Sequence, residues 1–402
     1  MAGVPGMRPF VTDSIPRWRV TLVHAGWLSV FAGLVLTTIS VYTIDLGMRA
    51  DLATGMAKEA KSQLMFAGIG IFAALVIALP HYRIIGYLAW PAMIATLGLL
   101  VFLLIPGVPD SIVHPVNGAR AWINLGVFNL QPSELNKIAF VLVVAQYLRF
   151  RRTHRKFFGL VPIAAITFVP LALILKQPDM GMALLFIPTL FAILAAAGAR
   201  LRHLVVIVLC AGMAVPAVYP LLKPYQKARI MAVLGQIKGE KEGAFGINYQ
   251  SFTAQELAGS GQVTGSSDAH ARSLVHYNRL PERHNDMIFS VVVARFGFLG
   301  GLAVLGLYLM WIVGALWTAA VCKDPFGRLV CVGFAAFIGT QVIVNVGMNI
   351  GLLPIIGITL PFLSHGGSSM ITVWMMTGLI VSIAMRKPVP PFRPSFEYGD
   401  EE

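Results

Sequence analysis

Residues 287–320 read MIFSVVVARFGFLGGLAVLGLYLMWIVGALWTAA, thirty-four positions with a single charged side chain, Arg295. About twenty apolar residues are enough to cross the hydrocarbon core of a bilayer. This run is therefore a membrane helix with length to spare for tilting or projecting beyond the lipid. Nine further runs read the same way, at about 20–44, 62–80, 84–106, 134–149, 158–175, 180–199, 203–222, 327–350 and 368–386. The run at 134–149 is short and carries Lys137 near one end.

Composition agrees with the local pattern. Of 402 residues, 57% are hydrophobic and 12% charged, with mean hydropathy +0.75. That is roughly half the charged share of a soluble globular chain, so a water-soluble enzyme is excluded. The net charge of +13 would suit a nucleic-acid binder only if it lay on one face of a soluble module, and no such module is visible. Cys210, Cys322 and Cys331 all lie in or beside apolar runs, which leaves neither a disulfide framework nor a cysteine-rich metal site. The first apolar run continues too far for a cleavable signal. The expected fold is an all-α polytopic membrane protein of about ten transmembrane helices. It forms one domain over 1–402, with an N-terminal segment 1–19, one large loop 223–286 and a tail 387–402.

Cytoplasmic loops carry the excess of Lys and Arg. With the N-terminus inside, the inner segments hold Arg8, Arg17, Arg19, Arg83, Arg149, Arg151, Arg152, Arg155, Lys156, Arg200, Arg202, Lys323, Arg328, Arg386, Lys387 and Arg393. The short outer segments hold only Arg49, Lys58, Lys61, Arg120 and Lys176. Both termini are accordingly expected in the cytoplasm, and the large loop outside. The acids lean the other way: Asp45, Asp51, Glu59, Asp110, Glu134, Asp179, Glu240, Glu242, Glu256, Asp268, Glu282 and Asp286 all fall outside or at outer helix ends. Acids contribute little to orientation, so their distribution points to chemistry at the outer face. Within the large loop, Gly259-Ser-Gly-Gln-Val-Thr-Gly-Ser-Ser267 reads as a flexible turn segment. The Pro-rich, then acidic, stretch Pro388–Glu402 reads as a disordered tail.

Four polar clusters interrupt the apolar pattern on that side. In Gln131-Pro-Ser-Glu-Leu-Asn-Lys137, Pro132 and Ser133 look like a helix start and Glu134 suits its dipole. Glu134 and Lys137, three apart, also share one helix face. The hairpin Lys176-Gln-Pro-Asp-Met-Gly181 holds Asp179, either as a helix cap or as a functional acid beside lipid. In Leu280-Pro-Glu-Arg-His-Asn-Asp-Met-Ile-Phe289, His284, Asn285 and Asp286 read either as an N-cap region or as a functional group of ionisable residues, while His284 and Asp286 are too few for a metal site. A carboxylate in such low-dielectric surroundings has a raised pKa and suits a general base. The fourth cluster combines Asn345-Val-Gly-Met-Asn-Ile-Gly-Leu-Leu-Pro354 with Gly366-Gly-Ser-Ser369. It reads either as helix termination or as an anion site, with the amides of Gly366, Gly367 and Ser368 at a helix start.

Together these clusters resemble the SEDS family of bacterial membrane proteins, which includes RodA, FtsW and SpoVE. The motifs are Gly118-Ala-Arg-Ala-Trp-Ile123, Gln131-Pro-Ser-Glu134 with Lys137, Gln177-Pro-Asp-Met-Gly181, Pro281-Glu-Arg-His-Asn-Asp286, Asn345-Val-Gly-Met348, Gly351-Leu-Leu-Pro354 and Pro361-Phe-Leu-Ser-His-Gly-Gly-Ser-Ser369. They follow the family's order and spacing over about 20–386. The resemblance implies a ten-helix peptidoglycan glycosyltransferase that polymerises lipid II, the undecaprenyl-pyrophosphate-linked disaccharide-pentapeptide. It would act in cell elongation or division at the outer face of the bacterial cytoplasmic membrane. It places the essential carboxylate at Asp286 and other site residues at Arg120, Trp122, Glu134, Lys137 and Asp179; His284, Ser368 and Ser369 are added as substrate-binding candidates. Asp286 would take the proton of the acceptor 4-hydroxyl. Arg120 and Lys137 would stabilise the leaving pyrophosphate. No protein metal ligands are read; a divalent cation, magnesium or manganese, at the pyrophosphate is left open. The expected partners are a class B penicillin-binding transpeptidase, other proteins of the elongation or division complex and membrane lipids, with no nucleic acid.

The chain departs from the family pattern at several positions. It has Asn285 where Thr is usual, His365 where Tyr is usual, and Arg295 near a usual acid, and it lacks the loop's Gly-Gly-x-x-Gly-x-Gly pattern. Lys176-Gln-Pro-Asp and Leu280-Pro-Glu-Arg-His look more like RodA than FtsW. Two rival readings are a lipid II flippase, which predicts ionisable residues at mid-membrane, and a non-catalytic scaffold of the wall-synthesis complex.

Overall fold

The computed structural model describes residues 18–49, 55–116, 119–126, 128–151, 156–221, 227, 231, 249–278 and 280–388. The readings made for 1–17, Arg152, Arg155, most of 223–248 and the tail beyond Pro388 lie outside the described residues. The apolar runs fold as helices: α1 (Gly26–Met48), α2 (Lys58–Ala78), α3 (Tyr82–Tyr87), α4 (Ala89–Phe102), α5 (Pro132–Arg149), α6 (Val161–Lys176), α7 (Met180–Ala196) and α8 (Leu201–Val218). Two helices of the large loop follow, α9 (Tyr249–Ser260) and α10 (Asp268–Tyr277), and then α11 (Ile288–Val321), α12 (Pro325–Asn349) and α13 (Gly367–Met385).

The fold class is as the sequence predicts, but the ten runs are not ten uniform spans. Among the described residues six helices are long and apolar enough to cross a membrane: α1, α2, the Phe157–Lys176 run ending in α6, α11, α12 and α13. The run at 84–106 is broken into α3 and α4, and Ala89–Phe102, Met180–Ala196 and Leu201–Cys210 are shorter apolar helices. α5 differs in kind. It buries Ser133, Glu134, Asn136 and Lys137, which only a helix sheltered by its neighbours tolerates.

The helices that carry the polar clusters are locked together in the core. Phe140 of α5, Phe186 of α7 and Phe337 of α12 are fully buried and meet edge to face, with ring centroids 5.0, 5.4 and 6.2 Å apart. Each such pair adds about 0.5–1.5 kcal/mol to simple burial. α2 and α13 meet backbone to backbone at Gly378, where a Cβ would lie 2.3 Å from the Ala74 carbonyl oxygen. In lipid, close contact through small residues supplies the attraction that water supplies elsewhere.

Charge pairing separates the two ends of the bundle. At one end, before α12, the buried Asp324 takes Arg83 Nε at 3.0 Å and Arg149 Nε at 3.4 Å, with the Tyr82 hydroxyl donating at 3.2 Å. The same end carries a two-stranded antiparallel ribbon of β1 (Trp18–Val20) and β5 (Arg386–Pro388). At the other end lie the Asp286 turn, the head of α5 and the head of α7.

The flexible reading of Gly259–Ser267 is overturned. α11 is interrupted at Gly297, with φ 71° and ψ −171°, a conformation open essentially to glycine alone. Residues 261–266 dock into the break: Phe298 N–H donates to Gln262 O at 2.8 Å, Leu299 N–H to Val263 O at 3.1 Å, and Ser266 N–H to Arg295 O at 3.1 Å. The glycines are there because backbones meet, a Cβ on Gly261 falling 2.0 Å from Val293 O and one on Gly265 2.2 Å from Arg295 O. Arg295 completes the strap through Ser266 O at 2.8 Å, the Tyr42 hydroxyl at 2.9 Å and Asp268 at 2.5 Å.

Candidate active site

The turn that carries Asp286 is built from strained and shared backbone. Glu282 adopts φ +52°, and its carbonyl accepts from Asn285 N–H at 2.9 Å and Met287 N–H at 3.2 Å. Its carboxylate holds the Asn285 side-chain amide at 2.6 Å. The Asp286 carbonyl accepts from the amides of both Asn345 and Asn349 at 2.9 Å. Asn345 also donates to Ile358 O at 2.7 Å. The 356–358 segment therefore lies beside Asp286, and a Cβ on Gly357 would be 3.6 Å from Asp286 Oδ2.

The Asp286 carboxyl group itself has no hydrogen-bond partner among the described residues. Burial pushes it up to about 7, and the nearby carboxylates of Glu282 and Asp179 push the same way. A carboxylate with few donors, near other acids, is poised to hold a proton at neutral pH.

Asp179 caps α7, accepting from Met182 N–H at 3.0 Å through one oxygen and from the Gln131 side chain at 3.0 Å through the other. Burial raises its pKa, and Glu134 adds to the rise. Glu134 pairs with Lys137 at 2.8 Å, both almost fully buried. Lys137 Nζ also donates to Gln341 of α12 at 3.3 Å. Gln341 in turn donates to Thr359 O at 3.0 Å, and Thr359 Oγ1 lies 3.5 Å from Ser369 Oγ. Ser368 Oγ closes the group, accepting from Gln131 N–H at 2.9 Å and donating to Asn129 O at 2.8 Å.

Glu134, Lys137, Asp179, Ser368 and Ser369 thus converge on one hydrogen-bonded group, with Asp286 close enough to feel Asp179. His284 sits on the far side of the Asp286 turn, its carbonyl accepting from His365 N–H at 2.8 Å and its ring 5.7 Å from that of His365. His365 Nε2 lies 2.8 Å from Ser62 Oγ. Burial lowers both imidazoles, His365 to about 4. They are therefore neutral at physiological pH. His365 is thus the hydrogen-bonding ring between α2 and the Asp286 turn.

Arg120 and Trp122 are placed elsewhere. They lie on β3 (Ala119–Asn124), between β2 (Val113–Val116) and β4 (Asn129–Leu130) in a small antiparallel sheet. Ile123 faces a small core with Leu103 and Val113, while Arg120 and Trp122 take the more open face. Arg120 donates Nη2 to Val108 O at 2.9 Å, and its buried Nε has no hydrogen-bond partner among the described residues. Among the described residues no hydrogen bond or ion pair joins either side chain to the Glu134–Asp179 group. Gln341 and Thr359, which wire that group together with Gln131, escape a reading by residue pattern. Their one signal is a polar side chain inside an apolar run. Among the described residues no three His, Cys, Asp or Glu side chains converge on a metal-sized space.

The model of the cell cycle protein family that groups FtsW, RodA and SpoVE matches residues 22–388. The chain belongs to this family. It is 33% identical over 358 residues to the probable peptidoglycan glycosyltransferase FtsW of Trichlorobacter lovleyi, covering 88% of this chain and 90% of the relative. It is 34% identical over 361 residues to the stage V sporulation protein E of Bacillus subtilis, covering 87% and 96%. Among solved structures, a chain from a peptidoglycan synthase complex, studied for the coordination of polymerisation and crosslinking, superposes with TM-score 0.74. That chain is 30% identical, with 90% of this chain and 98% of that one covered. The rod shape determining protein RodA of Thermus thermophilus superposes with TM-score 0.63 at 27% identity, covering 90% and 97%. The likeness runs to both the FtsW and RodA branches, so it assigns the chain to the family and to neither branch.

Proposed function

We propose that this chain is a peptidoglycan glycosyltransferase that polymerises lipid II, with Asp286 as its general base. The observation that carries the reading is the Asp286 carboxyl group: recessed, without a donor, and raised to about 7 by burial and two acids. The acceptor sugar's 4-hydroxyl gives its proton to Asp286 as its oxygen attacks C1 of the donor, and the bond to the lipid pyrophosphate breaks. One in-line displacement converts an α-linked donor into a β-linked product, by analogy with inverting glycosidases. A base near pKa 7 is strong enough to accept the proton while roughly half of it is ionised at neutral pH.

The charge pattern assigns the other roles. Lys137 is the cation within the acid group, already half-satisfied by Glu134 and Gln341. It stabilises the pyrophosphate once substrate oxygens compete for it. Arg120 holds Val108 O through Nη2 and keeps its Nε without a partner among the described residues, which makes it the second candidate cation for the pyrophosphate. Support for a crosslinking partner comes from the structural neighbour in a synthase complex, and a class B penicillin-binding transpeptidase is the chemistry this chain lacks. The acid-bearing end faces outward from the cytoplasmic membrane, in line with the positive excess at the opposite end. A flippase needs charged groups along the translocation path at mid-membrane. Here Glu134 and Lys137 sit in the first two turns of α5 and Asp179 at the head of α7, which favours chemistry at one face.

The deciding experiment is polymerisation of labelled lipid II by purified protein, alone and with its cognate transpeptidase, for wild type and Asp286→Ala. Long glycan strands from wild type and none from a folded mutant are expected. Equal product from both would remove Asp286 as the base.

A further inference from the structure

At the end of the bundle opposite Asp286 a cavity of about 770 Å³ opens between α1, α11 and α13. Its size is that of a ligand pocket rather than a packing defect. Leu28, Trp317, Val321 and Ile383 form apolar walls, and Arg83, Lys323 and Arg386 share the lining. The single acid of the lining, Asp324, is buried and already paired with Arg83 and Arg149. The lining is therefore net positive. Arg386 is fixed there by the carbonyls of Ala78 and Leu79, which its guanidinium caps at the end of α2. Lys323 is exposed and has no carboxylate partner among the described residues.

The depth of the cavity is marked by aromatic residues. Trp27 is 54% exposed, stacks on His24 with centroids 5.7 Å apart and donates its indole N–H to Leu22 O at 2.6 Å. Trp317 is 57% exposed on the cavity's own wall. Half-exposed tryptophans with a satisfied N–H sit at the headgroup level of a bilayer. Leu22 and Val23, 76% and 90% exposed beside them, fit that level as lipid contacts. The cavity thus offers an apolar chamber within the acyl region and cations at the phosphate level. This is the complement of one molecule, a lipid with a negative headgroup.

We infer that this cavity is a binding site for an anionic phospholipid of the inner leaflet, its phosphate held by Lys323 with Arg83 and Arg386 and its acyl chains against Trp317 and Leu28. Basic pockets between membrane helices at the cytoplasmic side bind anionic headgroups in this manner. The site is some thirty residues of helix away from Asp286, at the other end of α11, and its test does not depend on the proposed chemistry.

The test is native mass spectrometry of the full-length protein after reconstitution in nanodiscs of equal phosphatidylglycerol and phosphatidylcholine. Wild type is expected to retain phosphatidylglycerol and not phosphatidylcholine. Lys323→Gln is expected to weaken retention about fivefold, the worth of one surface cation. Ala25→Trp, which fills the chamber, is expected to reduce it to background, with melting temperatures showing that both variants fold. Equal retention of the two lipids, or unchanged retention in both variants, overturns the inference. So does displacement of the lipid by millimolar inorganic phosphate, which would make the site one for a free anion. Phosphatidylglycerol binding that appears only after residues 1–17 are removed would assign the chamber to the chain's own N-terminus and equally overturn it.

Discussion

The side-chain amide of Asn345 donates to the main-chain carbonyl of Asp286 at 2.9 Å, across fifty-nine residues of sequence. With Asn349 one helical turn away doing the same, α12 holds the proposed base by its backbone and leaves the carboxyl group unencumbered. Asn345→Leu strips a donor from the Asp286 and Ile358 carbonyls. A loss of about 1–3 kcal/mol in stability is expected. The lipid II polymerisation rate should fall on the order of a hundredfold, as displaced catalytic groups do. A variant that melts lower but polymerises at the wild-type rate would show that the bond is structural only.

The pH dependence follows from the raised pKa of Asp286. A general base works ionised, so the rate should fall as pH drops through about 7, by about tenfold per unit well below it. A polymerisation profile that is flat from pH 5.5 to 8.5, with chemistry rate-limiting, would remove the assignment.

The same shift makes Asp286 a cost to stability. The folded pKa is about 7 and the unfolded one about 3.9, so between those values the folded state binds more protons than the unfolded state. Stability therefore declines as pH rises from about 4 to about 7 and stays low above that. Asp286→Asn should then raise the melting temperature in detergent at pH 8, by a free energy on the order of 2–4 kcal/mol. The gain should vanish near pH 4.

The buried Glu134–Lys137 pair separates structure from chemistry. Lys137→Met leaves Glu134 buried without its cation, at about 3–5 kcal/mol. The double variant Glu134→Gln, Lys137→Met should recover most of that stability. If Lys137 meets the pyrophosphate, the recovered protein still fails to polymerise lipid II. A double variant with full activity would leave the pair a purely structural contact.

Much of this was legible in the sequence, and the gaps have physical reasons. The apolar runs declared themselves because lipid demands length and composition of every span. Asp286, Asp179, Glu134 and Lys137 stood out because an ionised group beside lipid is costly and hence conspicuous. What escaped reading is pairwise and remote: Lys137 with Gln341, Gln131 with Ser368, each bond spanning more than two hundred residues. Arg120 was named with that site through the family resemblance, and its hydrogen bond to Val108 O is a pairing that no motif announces. The glycines of 259–265 read as freedom, yet the contacts at Gly261 and Gly265 show that they permit backbone crowding instead.

That crowding is testable. Gly297→Ala puts a Cβ about 2.3 Å from Gly265 N and forces a non-glycine residue into a costly conformation, worth at least about 1–3 kcal/mol. The strap at 261–266 should release from α11. Faster amide exchange confined to 261–299 is the expected readout, while unchanged exchange there would mean that the strap is held by Arg295 alone.

The short ribbon between β1 and β5 has a practical consequence. Arg19 and Lys387 are register partners, and Thr21 N–H reaches Met385 O at 2.8 Å, so the two arms of the chain leave the bundle a few ångströms apart, as neighbouring strands must. Between Trp18 and Pro388 the described chain is nearly a closed ring. Two halves of a split fluorescent reporter, fused directly before Trp18 and directly after Pro388, would meet with very short linkers, and their light would report on an intact bundle in a living cell.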